Sequence, residues 1–542
     1  MKWKRGIGVL VALAVGLSVS ATTAHAGDMV FDEDDDEMVF DFDELDEDLE
    51  HLDELLDEGK LLYEQRSYEE ASLRFFDVLE DDSPGAEGHH AEAEYELARA
   101  LFRLHLYQGS LRYFGSIARE GDFHPYFQPA LRGLLLLTEV IPGDRTLAEY
   151  LGRYSQYFPE IVPEAFRDRY AFLVGRHMYD DMRYDEAVRL LESIEQGSPF
   201  FGRARYIMAI THVADNEAEP AARAFRDVLD HLHGLDESPS QFNTEQAMLF
   251  DLAHLGLARV YYSTGHFDTS LNFYGLIDRN SPRWPSALFE SAWGFFNVER
   301  FNQALGNLHS LNSPFFEDAY FPEGPILAAV IYFYNCNFGL VRETLDDFDY
   351  LFNDVHDDLE TILAQNPDSW ALYEWGTEWR NGGLDNGRPE LESALRANLE
   401  DRQLAQHFDL VGAIDREMTL MGQLADSWQA SGLGEELMGY SSLAHSDAVN
   451  DAGTLVQRRL ERTREELRGL LIQQDEILFE VARAERGEAE LDARMGMQVD
   501  EHVTDSPQLE VSSEEMYWGF DGEYWLDELG YYFFDIRSEC RR

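Results

Sequence analysis

From about residue 51 to residue 350 the apolar positions recur at spacings of three and four, with few strand-like alternations, so this stretch predicts helix after helix. Within it one phrase is written more than once. RYDEAVRLLESIEQGSP at 183–199 returns in looser form as HFDTSLNFYGLIDRNSP at 266–282. In both, an aromatic (Tyr184, Phe267) stands three residues before a small residue (Ala187, Ser270), and a proline (Pro199, Pro282) follows twelve after it. Aligning the remainder on a small residue in one helix and a second small residue twelve later gives seven pairs: Gly59/Ala71, Ala98/Ser110, Gly175/Ala187, Ala209/Ala221, Ala258/Ser270, Ala292/Ala304 and Ala329/Val341. Ala187 and Ala221 lie 34 residues apart (221 minus 187), as do Ser270 and Ala304. Four residues after each second anchor comes a large apolar one: Phe75, Phe114, Leu191, Phe225, Tyr274, Leu308 and Leu345. Small side chains let paired helices approach closely, large ones fill the gap to the next pair, and proline ends a helix because it lacks an N–H.

This pattern resembles the tetratricopeptide repeat (TPR) family, whose 34-residue unit is a helix-turn-helix. The match covers 51–350 as about seven repeats plus a degenerate one at 123–158; it departs from the family in lacking the consensus Trp in every repeat. The resemblance implies an all-α, TPR-type helix-turn-helix solenoid whose first helices line a concave, partner-binding face. By register, the ninth positions of those helices are Lys60, Arg99, Arg176, Ile210, Arg259, Trp293 and Val330, and the twelfth are Tyr63, Phe102, Tyr179, Val213, Tyr262, Phe296 and Phe333. The expected partner-binding set is therefore Lys60, Arg99, Arg176 and Arg259 with Tyr63, Phe102, Tyr179, Tyr262, Phe296 and Phe333. Guanidinium groups there would pair with carboxylates of an acidic peptide or protein. Aromatic stripes at helical spacing also serve packing between repeats.

Beyond 350 the period is lost. Residues 351–390 carry Gly, Pro and Asn and read as an irregular linker, with three tryptophans that must pack somewhere. Helical patterning resumes over 391–505. Alternate steps of four and three from Val456 to Met495 meet nine apolar residues in twelve, a seam for a helical hairpin, with 391–430 as partner, or for a coiled coil between copies. The segment 506–542 holds nine aromatics between Tyr517 and Phe534, a density seldom left in water, and is expected to fold back onto the helices or to dock on another protein.

The first 26 residues read as a signal peptide: Lys2, Lys4 and Arg5, an apolar run from Ile7 to Val19, and Ala24-His25-Ala26. That run is too short to span a bilayer, and no membrane span is expected after cleavage. Residues 27–50 form an acidic block that reads as a disordered leader. A net charge of −62 excludes duplex nucleic acid as a partner, since that binding rests on basic phosphate contacts. Lys60 is the one lysine beyond the signal; acid excess with arginine in place of lysine suits salty surroundings, where screening relieves self-repulsion. Two cysteines, Cys336 and Cys540, exclude a disulfide-dense scaffold and a four-cysteine zinc site. Export permits a bridge between them, but two unpaired thiols are the preferred expectation.

No phosphate-cradling glycine loop, GxSxG elbow or HExxH pair occurs, and the close histidine pairs, His89-His90 and His231/His233, have no further ligand placed by sequence. No cofactor, metal or catalytic residue is expected. The reading is a non-catalytic protein-protein interaction scaffold, exported to the periplasm or cell envelope of a bacterium. The alternative is a structural component that forms homo-oligomers through the seam and aromatic tail.

Overall fold

The computed structural model describes residues 42–495 and 519–540, apart from short breaks at 142, 144, 156–157, 159–161, 163, 236–240 and 385–387. The expected signal peptide lies outside the described residues, as does most of the acidic leader. Among the described residues every regular element is helical. Eight antiparallel pairs follow one another: α1 (Phe42–Glu64) with α2 (Tyr68–Leu79), α3 (Glu87–Arg103) with α4 (Tyr107–Glu120), α5 (Phe127–Leu137) with α6 (Arg145–Gly152), and α7 (Arg167–Asp180) with α8 (Tyr184–Glu192). Then come α9 (Phe201–Ala214) with α10 (Ala218–His233), α11 (Thr244–Ser263) with α12 (Phe267–Tyr274), α13 (Trp284–Asn297) with α14 (Phe301–Leu311), and α15 (Glu323–Tyr334) with α16 (Phe338–Gln365). This is the TPR-type helix-turn-helix solenoid.

The small-residue pairs sit where their spacing put them. Every non-glycine member, Ala71 to Val341, is fully buried, and in two pairs the contact is a hydrogen bond: Ser110 Oγ donates to the Ala98 carbonyl at 2.9 Å and Ser270 Oγ to that of Ala258 at 2.7 Å. Where glycine stands, a Cβ has no room. One built on Gly59 would lie 2.6 Å from Phe75, and one on Gly175 2.7 Å from Leu191, the large residues expected to fill those gaps.

Seven of the eight turns share one conformation. Arg66, His105, Met182, Asn216, Gly265, Glu299 and Cys336 all take positive φ, and the next residue's N–H reaches back five residues to a carbonyl, from Ser67 to Leu62 (2.9 Å) through to Asn337 and Tyr332 (3.0 Å). That is the Schellman ending, normally built on glycine; here six non-glycine residues accept the left-handed backbone. None of the following N-cap residues caps with its side chain. What marks six of these seven turns instead is a ring on each side, described below. The third pair lacks this turn, in keeping with its degenerate sequence.

Two boundaries differ from expectation. Helix α1 begins at Phe42, inside the leader, because Leu45, Leu49, Leu52 and Leu56 continue the helical spacing; Leu52 and Leu56 are buried. The stretch 351–390 is mostly helix. α16 runs on to Gln365 because Phe348, Val355 and Leu359 keep one face apolar and buried, and α17 (Ser369–Arg380) starts on an Asp368 cap that accepts from Ala371 N at 2.9 Å. Asn366 and Pro367 precede α17 and Asn381, Gly382 and Gly383 follow it, while Asn353 and Gly376 lie within the helices. Of its tryptophans, Trp379 is buried and donates to Glu392 at 3.1 Å, Trp375 is partly buried, and Trp370 stays on the surface.

After α18 (Pro389–Leu399), α19 (Arg402–Met421) and the single turn α20 (Asp426–Gln429), the chain ends its helical part in α21, 64 residues from Gly432 to Met495 and about 96 Å long. The seam from Val456 to Val481 is buried, but against several helices of the same chain (α16, α17, α18 and α19) rather than one hairpin partner or a second copy. The start of α21 packs on α4 and its far part on α15 and α16, so it bridges pairs two and eight. Helices α19 and α20 fasten the same end. Glu417 of α19 accepts from Gln108 N (3.0 and 2.9 Å) and Gly109 N (3.3 Å) at the start of α4, and Trp428 Nε1 donates to Ser72 of α2 at 3.0 Å.

Residues 519–540 fold back as an extended strap over α12, α13, α14 and α15. Leu529 is buried among Tyr274, Ile277, Trp284 and Leu288. Cys540 forms a disulfide with Cys336, with Cα atoms 5.0 Å apart, which corrects the expectation of free thiols. A sequence separation of 204 gave no geometry from which that pairing could be read.

Candidate partner-binding face

The twelfth-position aromatics of the first helices each meet the ring that opens the second helix, five residues later. The pairs are Tyr63–Tyr68 (5.1 Å between centroids), Phe102–Tyr107 (5.5 Å), Tyr179–Tyr184 (6.3 Å), Tyr262–Phe267 (5.3 Å), Phe296–Phe301 (5.9 Å) and Phe333–Phe338 (5.9 Å). Each pair clasps a turn whose apex is the positive-φ residue. The ring arrangement is edge-on or tilted, the geometry aromatic quadrupoles favour. All six are half-buried, so one edge stays open to solvent while the other packs. The fifth pair, with Val213 and Ala218, forms the same turn without rings. Spacing by five between rings was present in the sequence and is the signal that would have revealed the clasp.

Three of the four basic ninth-position residues are already neutralised. Lys60 Nζ lies 2.7 Å from Glu92 on the next first helix; burial works against its charge, but Glu92 holds its pKa above the ordinary value. Arg99 pairs with Glu96 at 2.7 Å and lies over the Tyr63 ring at 4.7 Å. Arg259 makes a two-point pair with Glu290 of α13 (2.8 and 2.6 Å), and that hydrogen bonding holds its pKa high. Two of these pairs, from Lys60 and from Arg259, tie neighbouring repeats together. Arg176 is different: half-buried on α7, it has no hydrogen-bond or ion-pair partner among the described residues. Arg205 of α9, unforeseen by register, also lacks a carboxylate within ion-pair distance and rests on Phe201 at 4.7 Å.

The two sides of the solenoid are covered differently. The second helices of pairs one, two, six, seven and eight lie under α19–α21 or the strap. Among the first helices α15 packs on α21, whereas the main contacts of α7, α9 and α11, like those of α1, α3 and α5, are with helices of their own and adjoining pairs. The open sides of α7, α9 and α11 carry Tyr179, Tyr206, Ile210, Val213, Met248 and Tyr262, none fully buried, beside Arg176 and Arg259. Tyr206 is pushed above the ordinary phenol range by burial, against the pull of the Arg259 and Arg283 charges.

The histidine pairs find other partners: His89 contacts Asp53 at 3.0 Å, His90 the Asp81 carbonyl at 2.8 Å, His231 the ring of Phe201 and His233 that of Phe250. His356, Asp357 and Glu360 on one turn of α16 come within ligating distance of one another at the surface. No helix among the described residues is long and apolar enough to cross a membrane.

No family model and no curated protein matches the chain. Among solved structures, yeast Tom70 is similar at 13% identity over 83% of this chain and 99% of that one, with a TM-score of 0.19. A chain of the APC/C hetero-tetramer Cut9–Hcn1 is similar at 14% identity (75% and 96% covered, TM-score 0.17), and a circular tandem repeat protein with novel repeat topology at 13% (82% and 98%, TM-score 0.09). Scores of this size define no shared arrangement of whole chains, and the solenoid stands on the turns and small-residue contacts described above.

Proposed function

We propose that the protein is a non-catalytic scaffold that holds another protein against the uncovered face of α7, α9 and α11. The observation that carries this reading is the uneven covering of the solenoid: on its back, five second helices are closed over by the chain's own helices and strap, whereas the first-helix side carrying α7, α9 and α11 is left half-open. Half-exposed rings and aliphatic side chains beside arginines are the composition of protein interfaces. In a chain of net charge −62, Arg176 and Arg205 on these helices, neither with a carboxylate within ion-pair distance, favour an acidic segment of the partner.

Export to a bacterial envelope is part of the same proposal. It is supported by the charged-then-apolar N-terminus and by the Cys336–Cys540 bond, since disulfides persist where thiols are not kept reduced. The oligomerising alternative loses one of its two supports, because the heptad seam is buried within one chain.

The test is photo-crosslinking in the native organism, with the reactive residue placed at Arg176, Val213 or Met248, and at Leu443 on the outer side of α21 as control. The same protein partner should be captured from the first three and not from the fourth, and Arg176→Glu should weaken capture without changing helicity or melting. Equal capture from Leu443, or none from α7, α9 and α11, would refute the assignment.

A further inference from the structure

The strap is held in two parts by different means. Up to Tyr532 it is anchored by packing: Leu529 is fully buried, Gly530 N donates to Ser310 Oγ at 2.9 Å, and Phe520, Tyr524 and Tyr532 surround the His309 ring at centroid distances of 4.5, 5.0 and 4.9 Å. Arg279 donates to the Asp527 carbonyl at 2.9 Å and lies 4.2 Å over the Tyr531 ring, and Gly306 of α14 leaves the Tyr532 carbonyl the space that a side chain would take. Over 533–540 the hold is lighter. Phe533, Asp535, Ser538 and Glu539 are exposed, while Phe534 and Ile536 pack on the apolar cluster of pairs seven and eight, Phe534 with its ring 5.9 Å from that of Tyr332. Two backbone hydrogen bonds reach the solenoid there, from Phe534 N to the Asn302 carbonyl at 3.2 Å and from Glu539 N to that of Asn335 at 2.8 Å, before Cys540 ties the segment to Cys336.

The bond ends on a turn that does not need it. Cys336 is the positive-φ residue between α15 and α16, and that turn is already closed by Asn337 N donating to the Tyr332 carbonyl at 3.0 Å and by the Phe333 and Phe338 rings 5.9 Å apart. Six other turns take the same form around Arg66, His105, Met182, Asn216, Gly265 and Glu299, with no sulfur in them. What the bond fixes is therefore the strap and not the solenoid. Both of its cysteines are half-buried, so a thiolate in solution can reach them. We propose that Cys336–Cys540 is a redox latch: a reducing dithiol frees residues 533–540 and bares the apolar surface around Tyr332, while the Leu529 anchor and the solenoid stay folded. Ordering eight residues (540 minus 532) carries an entropic cost that two hydrogen bonds and two partly buried side chains do not offset once the covalent tie is gone. One thiolate of the dithiol attacks a sulfur of the bond and displaces the other cysteine as thiolate; its second sulfur then closes on the first and releases the remaining cysteine. The dithiol ends as a cyclic disulfide, and its two electrons and two protons end on Cys336 and Cys540. This inference does not depend on the uncovered face of α7, α9 and α11.

The full-length oxidised protein, the same protein treated with dithiothreitol under native conditions, and Cys540→Ser are compared by hydrogen exchange. Reduction and the substitution should each bring the amides of Phe534 and Glu539 to the rate of an unstructured chain, leave those of Gly530 and Asn337 protected, and raise the binding of a hydrophobic dye. Oxidised glutathione, whose disulfide accepts the electrons, should restore slow exchange in the reduced parent and not in the variant. Protection of Phe534 and Glu539 that survives reduction would overturn the proposal, because the bond would then hold nothing that packing does not. Loss of protection throughout α15 and α16 would overturn it as well, by making the bond a staple of the solenoid, and so would a bond that dithiothreitol cuts only in denaturant.

Discussion

Replacing Glu417 with alanine tests whether α19 to α21 fasten onto the solenoid through one carboxylate. The side chain is buried, comes from a residue 309 positions away from Gln108, and accepts the first N–H groups of α4. A helix leaves its first four N–H groups without internal partners, and α4 has no capping side chain at Leu106. Glu417 is therefore the cap. Alanine removes the acceptor where water does not replace it, so the donors of Gln108 and Gly109 are left unpaired. Loss of a cap costs about 1 kcal/mol and an unsatisfied buried donor about 1–3 kcal/mol, so the sum is ~2–4 kcal/mol. Urea unfolding at pH 6 measures it, and hydrogen exchange locates it: the amides of 107–109 should lose protection before those of α9 or α11. The carboxyl's own pKa supplies a second check. Burial pushes it up to about 7 although the amides of Gln108, Gly109 and Tyr107 pull it down. Raised in the folded state, it contributes stability that is complete below its ordinary 4.5 and is lost as pH climbs through about 7. Glu417→Gln should therefore fall short of the parent at pH 5 and regain ground by pH 8. An alanine variant within 0.5 kcal/mol of the parent, roughly the scatter of surface changes, with unchanged exchange at 107–109, would refute the capping argument.

Three other outcomes follow from the structure. Glu323 at the start of α15, pushed up to about 7 by burial and by Glu466 of α21, should make melting temperature fall between pH 5 and pH 8; Glu323→Gln should flatten that slope, measured by circular dichroism in constant salt. Gly59→Ala drives a Cβ into the Phe75 ring, and overpacking of about 1–3 kcal/mol should outweigh the ~1 kcal/mol gained in helix propensity, giving net destabilisation in urea that Phe75→Leu partly relieves. Tyr262→Ala, which removes one ring of a turn clasp, should cost about 1 kcal/mol from the aromatic pair and more from lost packing, whereas Val213→Ala at the ringless turn should cost less.

The parts of this molecule legible in its sequence are those fixed by contacts between near neighbours. Ala98 meets Ser110, and Leu191 overlies Gly175, because a hairpin brings residues 12 or 16 apart together wherever it occurs. The same locality made the twelfth-position rings legible, and their ring partners lie five residues on, across the turn. What escaped the sequence depends on distant segments meeting. Glu417 under α4, Trp428 on Ser72, Cys540 on Cys336 and Tyr532 over Gly306 each join residues more than 200 apart. A periodic pattern carries no record of such meetings. Arg99 and Arg259 were legible as basic positions, but their neutralisation by Glu96 and Glu290 required knowing which carboxylates the packing brings near.

The long helix alters what a solenoid of this kind can do. In a stack where each pair touches only its neighbours, small rotations add from pair to pair and the whole bends easily. Here α21 holds pair two through Glu436, paired with Arg112 at 2.7 Å and accepting from Tyr113 at 3.0 Å, and pair eight through Glu485, which accepts from Arg342 at 2.8 Å. Those two glutamates are 49 residues apart (485 minus 436) on one helix, a distance of about 74 Å. Pairs two and eight cannot approach or separate without breaking that helix or its buried seam. The curvature of the pairs between them, and with it the face of α7, α9 and α11, is fixed before any partner arrives, so binding there need not bear the cost of ordering the surface.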